Sequence, residues 1–356
     1  MMGVGGTIIF FTFCSAILPV VMNAMPKGVR YLQEKSSASY YRINTKNSID
    51  ELEIALRTIK GQKNAKTQIM NTVAGWLEAK ENPDNKPGGL IIHLAGISGT
   101  GKSIAAEALT KVLLGENSKS IKLSYRSIDS NSQKTVAEQL FGQTTENFGQ
   151  IKVDKNTPLT AQLKFNPNTI IEIHEFDKFM EKDDTLQAKL WDIADNGQID
   201  VNGQTLDCKD TIFILTSNSS KESVGMGTDT EDATASLERV NYRQAFLNRI
   251  NTVYFEDFSL AEYNEIFEQK LQVVVDYYNK KFKLLLNVSA ETKNKIAQEL
   301  KSKKIGGARN IRPIIDKIYV ALAKFKKDNG ITESSKHKQL EINLGYNEND
   351  KNFVVN

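Results

Sequence analysis

Apolar and polar positions fall in blocks along the chain, and the period of the blocks changes near residue 258. Leu90–Ala95 is a short apolar run bounded by Gly88, Gly89 and Gly96, which predicts a strand. Ser103–Leu114 carries Leu109, Val112 and Leu113 on one helical face. Short apolar runs return at Ile121–Ile128, Thr169–Glu175, Thr211–Thr216 and Thr252–Phe255. Strands separated by helices predict a parallel α/β sheet. Upstream, residues 49–80 read as helix with a break at Gly61-Gln62, and residues 82–89 hold Pro83 and Pro87 in a loop.

Beyond Phe258 the helical period dominates. Residues 260–282 place Tyr263, Ile266, Phe267, Val274 and Tyr278 near one stripe, and residues 290–302 form a second helix. Residues 311–327 set Ile311, Ile314, Ile315, Ile318, Tyr319 and Leu322 at helical spacing. One strand, Gln339–Leu344, closes the chain. The pattern predicts a large α/β domain over residues 49–258 and a small, mostly helical domain over residues 259–356.

The N-terminus is of a third kind. The first 26 residues carry no charged side chain, and Gly3–Met25 includes Ile8, Ile9, Phe10, Phe11, Ile17 and Leu18. At ~1.5 Å per residue such a run crosses a ~30 Å hydrocarbon layer, and Pro19 would kink it without forbidding it. A secretory signal lacks its usual basic start here, and a buried helix of this length without charge is uncommon, so a membrane anchor over residues 1–26 is the favoured reading. Lys27, Arg30, Lys35, Arg42 and Lys46 follow, opposed by Glu34 alone, which places the bulk of the chain on the cytoplasmic side. Residues 27–48 are polar and Ser-rich, a linker.

Composition narrows the chemistry. At about 150 residues per domain, 356 residues suit two domains with a sizeable core. The net charge of +3 demands no nucleic acid or acidic partner, and no basic-aromatic stripe invites one. Two cysteines exclude a disulfide scaffold and a Cys-rich zinc module, and three histidines leave little for a His-based metal site.

The strongest chemical signal is Gly96-Ile97-Ser98-Gly99-Thr100-Gly101-Lys102-Ser103, a complete G-x-x-x-x-G-K-S between a predicted strand and a predicted helix. Its glycines let backbone N–H groups curl around phosphate oxygens, and the helix N-terminus adds its dipole. Lys102 would reach the β and γ phosphates of ATP, and the Ser103 hydroxyl would hold Mg²⁺. A phosphate-loop enzyme needs a second strand tipped with acids. Ile170-Ile171-Glu172-Ile173-His174-Glu175 supplies Glu175 to orient or deprotonate water, but His174 stands where an Asp is expected. Glu172 shares the strand face of His174; it either compensates for the missing acid or is an edge-facing polar residue. Asn218, after the strand Thr211–Thr216, would sense water or the γ-phosphate, or make an ordinary Asx turn. Arg249 would act on a neighbouring subunit's γ-phosphate, or form a surface ion pair. Arg309, at a helix start in the small domain, would reach back to the phosphates, or stay solvated.

Together these motifs resemble the Clp-type AAA+ unfoldases, above all the second ATPase ring of ClpB-like disaggregases, from about residue 50 to the C-terminus. Ile59-Lys60-Gly61-Gln62 is similar to the family's Val-Val-Gly-Gln, which implies adenine contacts by Ile59 and Lys60. The segment Leu190 to Asp200, with Gly203, Asp207 and Thr211, resembles the family's L-x-x-x-x-D-x-G segment and its continuation. Thr216-Ser217-Asn218, Phe246-Leu247-Asn248-Arg249 and Gly307-Ala308-Arg309 resemble its sensor 1, arginine finger and sensor 2. The resemblance implies a homo-oligomeric ring, usually a hexamer, with ATP between subunits, a protein substrate, and less than a whole disaggregase. Two departures stand out: His174, and the pore loop. Its G-x-x-x-G-Y-V-G becomes Gly142 to Gly149 with Asn147 in place of Tyr, so Phe148 and Gly149 are the candidates to grip a substrate. The expected function is a membrane-anchored ATPase that remodels protein; the rival is a nucleotide-binding scaffold with weak hydrolysis.

Overall fold

The computed structural model describes residues 48–82, 84, 87–115, 119–142, 144–147, 150–153, 158–201, 204–218, 242–303, 306–333, 339–347 and 349–355. The anchor and nearly all of the linker read from the sequence, and the pore-loop candidates Phe148 and Gly149, lie outside these residues. Among the described residues no helix is long and apolar enough to cross a membrane.

Helices α1 (Ser48–Leu56) and α2 (Lys63–Glu81) bury Leu52, Leu56, Ile69 and Val73 on one side of the sheet, and part at Gly61 and Gln62, both at positive φ. Strand β1 (Leu90–Gly96) is buried along its whole length and leads into helix α3 (Lys102–Leu114). Strand β2 (Ile121–Ser124) stops four residues before the expected end at Ile128. The cause is local: Ser124 and Ser127 form a reciprocal capping box that turns the backbone into a single 3₁₀ turn. Then come helix α4 (Val136–Phe141), the hairpin β3 (Thr144–Asn147) and β4 (Gln150–Val153), and helix α5 (Pro158–Phe165). Strand β5 (Ile170–His174) precedes helices α6 (Phe176–Lys182) and α7 (Thr185–Asn196). A second hairpin, β6 (Gln198–Val201) and β7 (Gln204–Asp207), returns the chain to strand β8 (Ile212–Ser217). Helix α8 (Gln244–Leu247) and strand β9 (Asn251–Phe255) complete this half.

The five central strands are parallel in the order β2-β5-β8-β1-β9, as the alternating pattern predicts. Successive residues serve opposite faces. Ile91, Ile171 and Phe213 join a core with Phe176, Phe179 and Leu190, whereas Ile92, Ile170 and Ile212 join one with Leu52, Ile69 and Leu109. Burial on both faces is why these strands read as continuous apolar runs rather than alternating ones. Register pairs Ala95 with Ser217 and Thr216 with His174, so the ends of β1, β8 and β5 share one edge. Open parallel sheets place ligands outside that carboxyl edge.

The C-terminal part is mostly helical, as expected, but carries two strands beyond the one read from the sequence. Helix α9 (Leu260–Phe282) is started by Ser259, which forms a capping box with Glu262. Lys283, at φ 53°, then reverses the chain into strand β10 (Leu284–Val288). Helices α10 (Ala290–Ser302) and α11 (Ile311–Asp328) follow. Strands β11 (Leu340–Asn347) and β12 (Asn352–Val355) join β10 in a three-stranded sheet. A separate core, with Tyr263, Phe267, Leu284, Ile318 and Ile342, lies between this sheet and the helices.

Candidate functional site

The loop between β1 and α3 has its shape because glycine permits it. Gly99 and Gly101 adopt φ 84° and 108°, a region side chains disfavour. A Cβ on Gly99 would also lie 2.1 Å from the Gly306 carbonyl oxygen. Thr100 is fully buried and donates its hydroxyl to Ile97 O at 2.9 Å. Lys102, the first residue of α3, folds its ammonium inward, donating to Gly96 O at 2.5 Å and Ile97 O at 2.7 Å, and standing 3.5 Å from Asn218 Oδ1. Burial pushes the Lys102 pKa down to about 8; Arg309 adds to the shift and Asp177 offsets it.

At the end of β5, period-two alternation sets Glu172 and His174 on one face. Glu172 is 1% exposed, so it is not an edge residue. It accepts from the Ser120 hydroxyl and from Thr110 Oγ1 at 3.4 Å, with Lys122 Nζ at 3.5 Å and His174 Nε2 at 3.0 Å. Burial alone would raise its pKa, but His174, Ser120 and Lys122 together hold it below the ordinary carboxylate value. Glu172 is committed to this nest and is not among the residues that line the cavity described below. His174 Nδ1 lies 3.4 Å from Thr216 Oγ1 on the neighbouring strand.

Glu175 does not extend the strand. It turns to φ 57° and ψ 45° as the residue before α6, a conformation rare for a side-chain-bearing residue and typical of strained functional positions. Its carboxylate is 3.1 Å from Lys178 Nζ. That turn aims the first turn of α6 at β8, where the Asp177 carboxylate accepts the Asn218 N–H at 3.3 Å. Burial raises the Asp177 pKa, with the Asn218 bond working against it. Asp177 is a site-proximal acid that motif reading passed over; its signal is an acid two residues after the strand-end Glu.

Beneath the site, His93 on β1 is fully buried, with Nε2 2.7 Å from Ser217 Oγ. Tyr242 stacks on its ring at 5.4 Å between centroids. Burial, helped by Lys102, drives the His93 pKa down to about 3, so it is a neutral strut. From the C-terminal part, Arg309 Nη1 donates to Ser98 Oγ at 2.7 Å and Ala308 N–H to Gly99 O at 3.2 Å.

These elements enclose a cavity of about 450 Å³ lined by Lys102, Ser103, His174, Glu175, Asn218 and Arg309 among others. Ser98, Gly99 and Gly101 line it as well, while Gly96 and Thr100 act from behind, one accepting from Lys102 and the other bracing the loop. Two adenine candidates sit elsewhere. Ile59 Cγ2 would lie 3.0 Å from a Cβ on Gly101, and its carbonyl accepts from Lys66 at 3.0 Å. Lys60 Nζ is 3.8 Å from Glu265 on α9. Neither residue lines the cavity. Arg249 also stands outside the lining, with Nε 2.8 Å from Asp195 Oδ2.

The donors facing the cavity suit a nucleotide that brings its own cation. Ser103 and Glu175 offer the hard oxygens Mg²⁺ prefers, and His174 offers nitrogen where a charged oxygen would serve better. Among the described residues no three His, Cys, Asp or Glu side chains stand close enough to hold an ion themselves. A divalent ion would therefore rest on phosphate oxygens and the Ser103 hydroxyl.

Comparison with known proteins agrees with this geometry. Residues 90–253 match the family model described as AAA domain (Cdc48 subfamily). Chaperone protein ClpB of Mycobacterium tuberculosis is 27% identical over 267 residues, covering 74% of this chain and 29% of the relative. An ATP-dependent Clp protease ATP-binding subunit ClpA homolog of Cyanidium caldarium is 23% identical over 322 residues, covering 83% of this chain and 36% of the relative. The chain thus spans about three tenths of the length of these curated relatives. Among solved structures, a chain of the S. cerevisiae Hsp104:casein complex in its extended conformation superposes with a TM-score of 0.62 at 23% identity, covering 87% of this chain and 52% of that one.

Proposed function

The chain belongs to the Clp-type AAA+ ATPases, and from that premise we propose that it binds and hydrolyses ATP between subunits of a ring to remodel protein substrates. The observation that carries the reading is the single cavity in which Lys102, Ser103, Glu175, Asn218 and Arg309 converge. The ammonium of Lys102 exchanges two backbone carbonyls for phosphate oxygens, a trade that its burial favours because an anion restores the charged form. Glu175 exchanges its half-exposed contact with Lys178, worth about 0–1 kcal/mol, for a water aligned with the γ-phosphate. As the water oxygen bonds to phosphorus, the bond to the ADP oxygen breaks and Glu175 takes the proton. Asn218 orients that water, and Arg249 of an adjoining subunit neutralises charge on the transferring group. Mg²⁺ bound with the nucleotide supplies further charge neutralisation at the phosphates. Residues 1–26 tether the ring to a membrane with the ATPase on the cytoplasmic side.

A second reading has its own observation. Glu172 is spent on Ser120, Thr110, Lys122 and His174, so it does not replace the acid missing at position 174. That favours a nucleotide-dependent scaffold with slow turnover. Measuring phosphate release, and particle mass with and without ATP, on the full chain separates the two. Steady release by a ring supports the motor, ATP-dependent assembly with negligible release supports the scaffold, and neither binding nor assembly overturns both.

A further inference from the structure

The surroundings of Arg249 are built with more care than an incidental surface ion pair requires. Trp191 and Asp195 stand one turn apart on α7. The Trp191 indole N–H donates to Asp195 Oδ2 at 2.6 Å, which fixes the carboxylate. Arg249 Nε lies 3.0 and 2.8 Å from the two oxygens of that carboxylate, and Nη1 donates to Ala245 O at 2.8 Å. The guanidinium carbon stands 4.0 Å from the centre of the Trp191 ring. One face and the inner edge of the guanidinium are therefore held, while Nη2 has no partner among the described residues and the side chain remains 34% exposed.

We propose that Trp191 and Asp195 are positioning residues for the trans-acting Arg249, presenting its free Nη2 edge to the neighbouring subunit's γ-phosphate. The inference rests on the finger role proposed above. A long side chain loses much rotamer freedom when it docks on a phosphate, and a finger immobilised beforehand has already lost it. Stacking on indole and a carboxylate behind Nε leave the guanidinium charged and aimed outward. Asp195 itself is held by Trp191, so the three side chains form one unit rather than two separate contacts.

The test uses the full-length chain in mild detergent, with ATP turnover, ATP affinity and particle mass measured on each variant. Arg249→Ala is expected to lower kcat by about 10³-fold, the low end for arginine fingers. Asp195→Asn and Trp191→Leu are expected to lower kcat roughly tenfold with KM and ring mass unchanged, and Trp191→Phe, which keeps a ring but loses the N–H, roughly threefold. A kcat that rises in Asp195→Asn overturns the proposal, because the carboxylate would then be a latch. A kcat at the wild-type level in both Asp195→Asn and Trp191→Leu also overturns it while leaving the finger intact. If Arg249→Ala itself leaves kcat unchanged, the finger reading falls, and positioning with it. Fluorescence tests the geometry without turnover. The sequence has two tryptophans, so Trp76→Phe leaves Trp191 as the sole indole. Arg249→Ala should then shift its emission, and an unmoved spectrum overturns the clamp.

Discussion

Two strand ends on one edge of the sheet, with β8 between them, have diverged in opposite senses. The end of β1 carries every element of a phosphate loop, with glycines at positive φ, a buried lysine and a helix N-terminus in the required order. The end of β5 keeps its glutamate in a strained turn but replaces the adjoining acid with His174 and withdraws Glu172 into the core. The first end gathers N–H groups and a cation, which bind phosphate whether or not it reacts. In the mechanism proposed above, the second sets how fast water attacks. On that reading binding and hydrolysis are separable along the sheet, and the divergence falls on the hydrolytic end.

That contrast can be broken or sharpened by substitution. Lys102→Ala removes the one ammonium in the loop, and ATP affinity by calorimetry should fall more than about 100-fold. Retained affinity would mean that the β1 end is not where phosphate sits. Glu175→Gln should lower turnover by about 10²–10⁴-fold while changing ATP affinity less than threefold, and undiminished steady-state release would remove Glu175 from its role. His174→Asp restores an acid and should raise turnover roughly tenfold, together with the dependence on Mg²⁺ concentration. If turnover does not move, the β5 end works as it stands.

Acid and base separate the two ends further. Lys102 must be charged to hold phosphate, and its pKa is about 8. ATP affinity should therefore stay level below pH 8 and fall up to about tenfold per unit above it, until the bound-state pKa is reached. His93, neutral when folded with a pKa of about 3, takes up a proton on unfolding below its ordinary 6.5. Its contribution is fully present above pH 6.5 and is lost as pH falls toward 3, at up to roughly 1.4 kcal/mol per pH unit. Urea midpoints between pH 7 and 4 should show this slope in the wild type and a shallower one in His93→Gln.

What the residues reveal unaided follows the range of the interactions. The phosphate loop was legible because its chemistry is carried by eight consecutive residues and two elements that flank them. The parallel sheet was legible because burial on both faces leaves unbroken apolar runs. The sheet of the C-terminal part was legible only in β11, since β10 follows α9 with only Lys283 between them and no Gly or Pro signal sets its short apolar run apart. Glu172 and His174 could be placed on one face from spacing alone, but the nest of Ser120, Thr110 and Lys122 around Glu172 needs neighbouring elements to supply it. The Arg249 clamp draws on Asp195, 54 residues away, and no local pattern announces such a partner.

The close approach of Gly306 to Gly99 leaves no slack between the phosphate loop and the C-terminal part of the chain. Ala308 and Arg309 fasten the same junction from either side. The two pieces consequently mesh like teeth. A side chain at position 99 could be admitted only by prying the two apart, so the bare backbone there is what lets the C-terminal part sit flush on the loop.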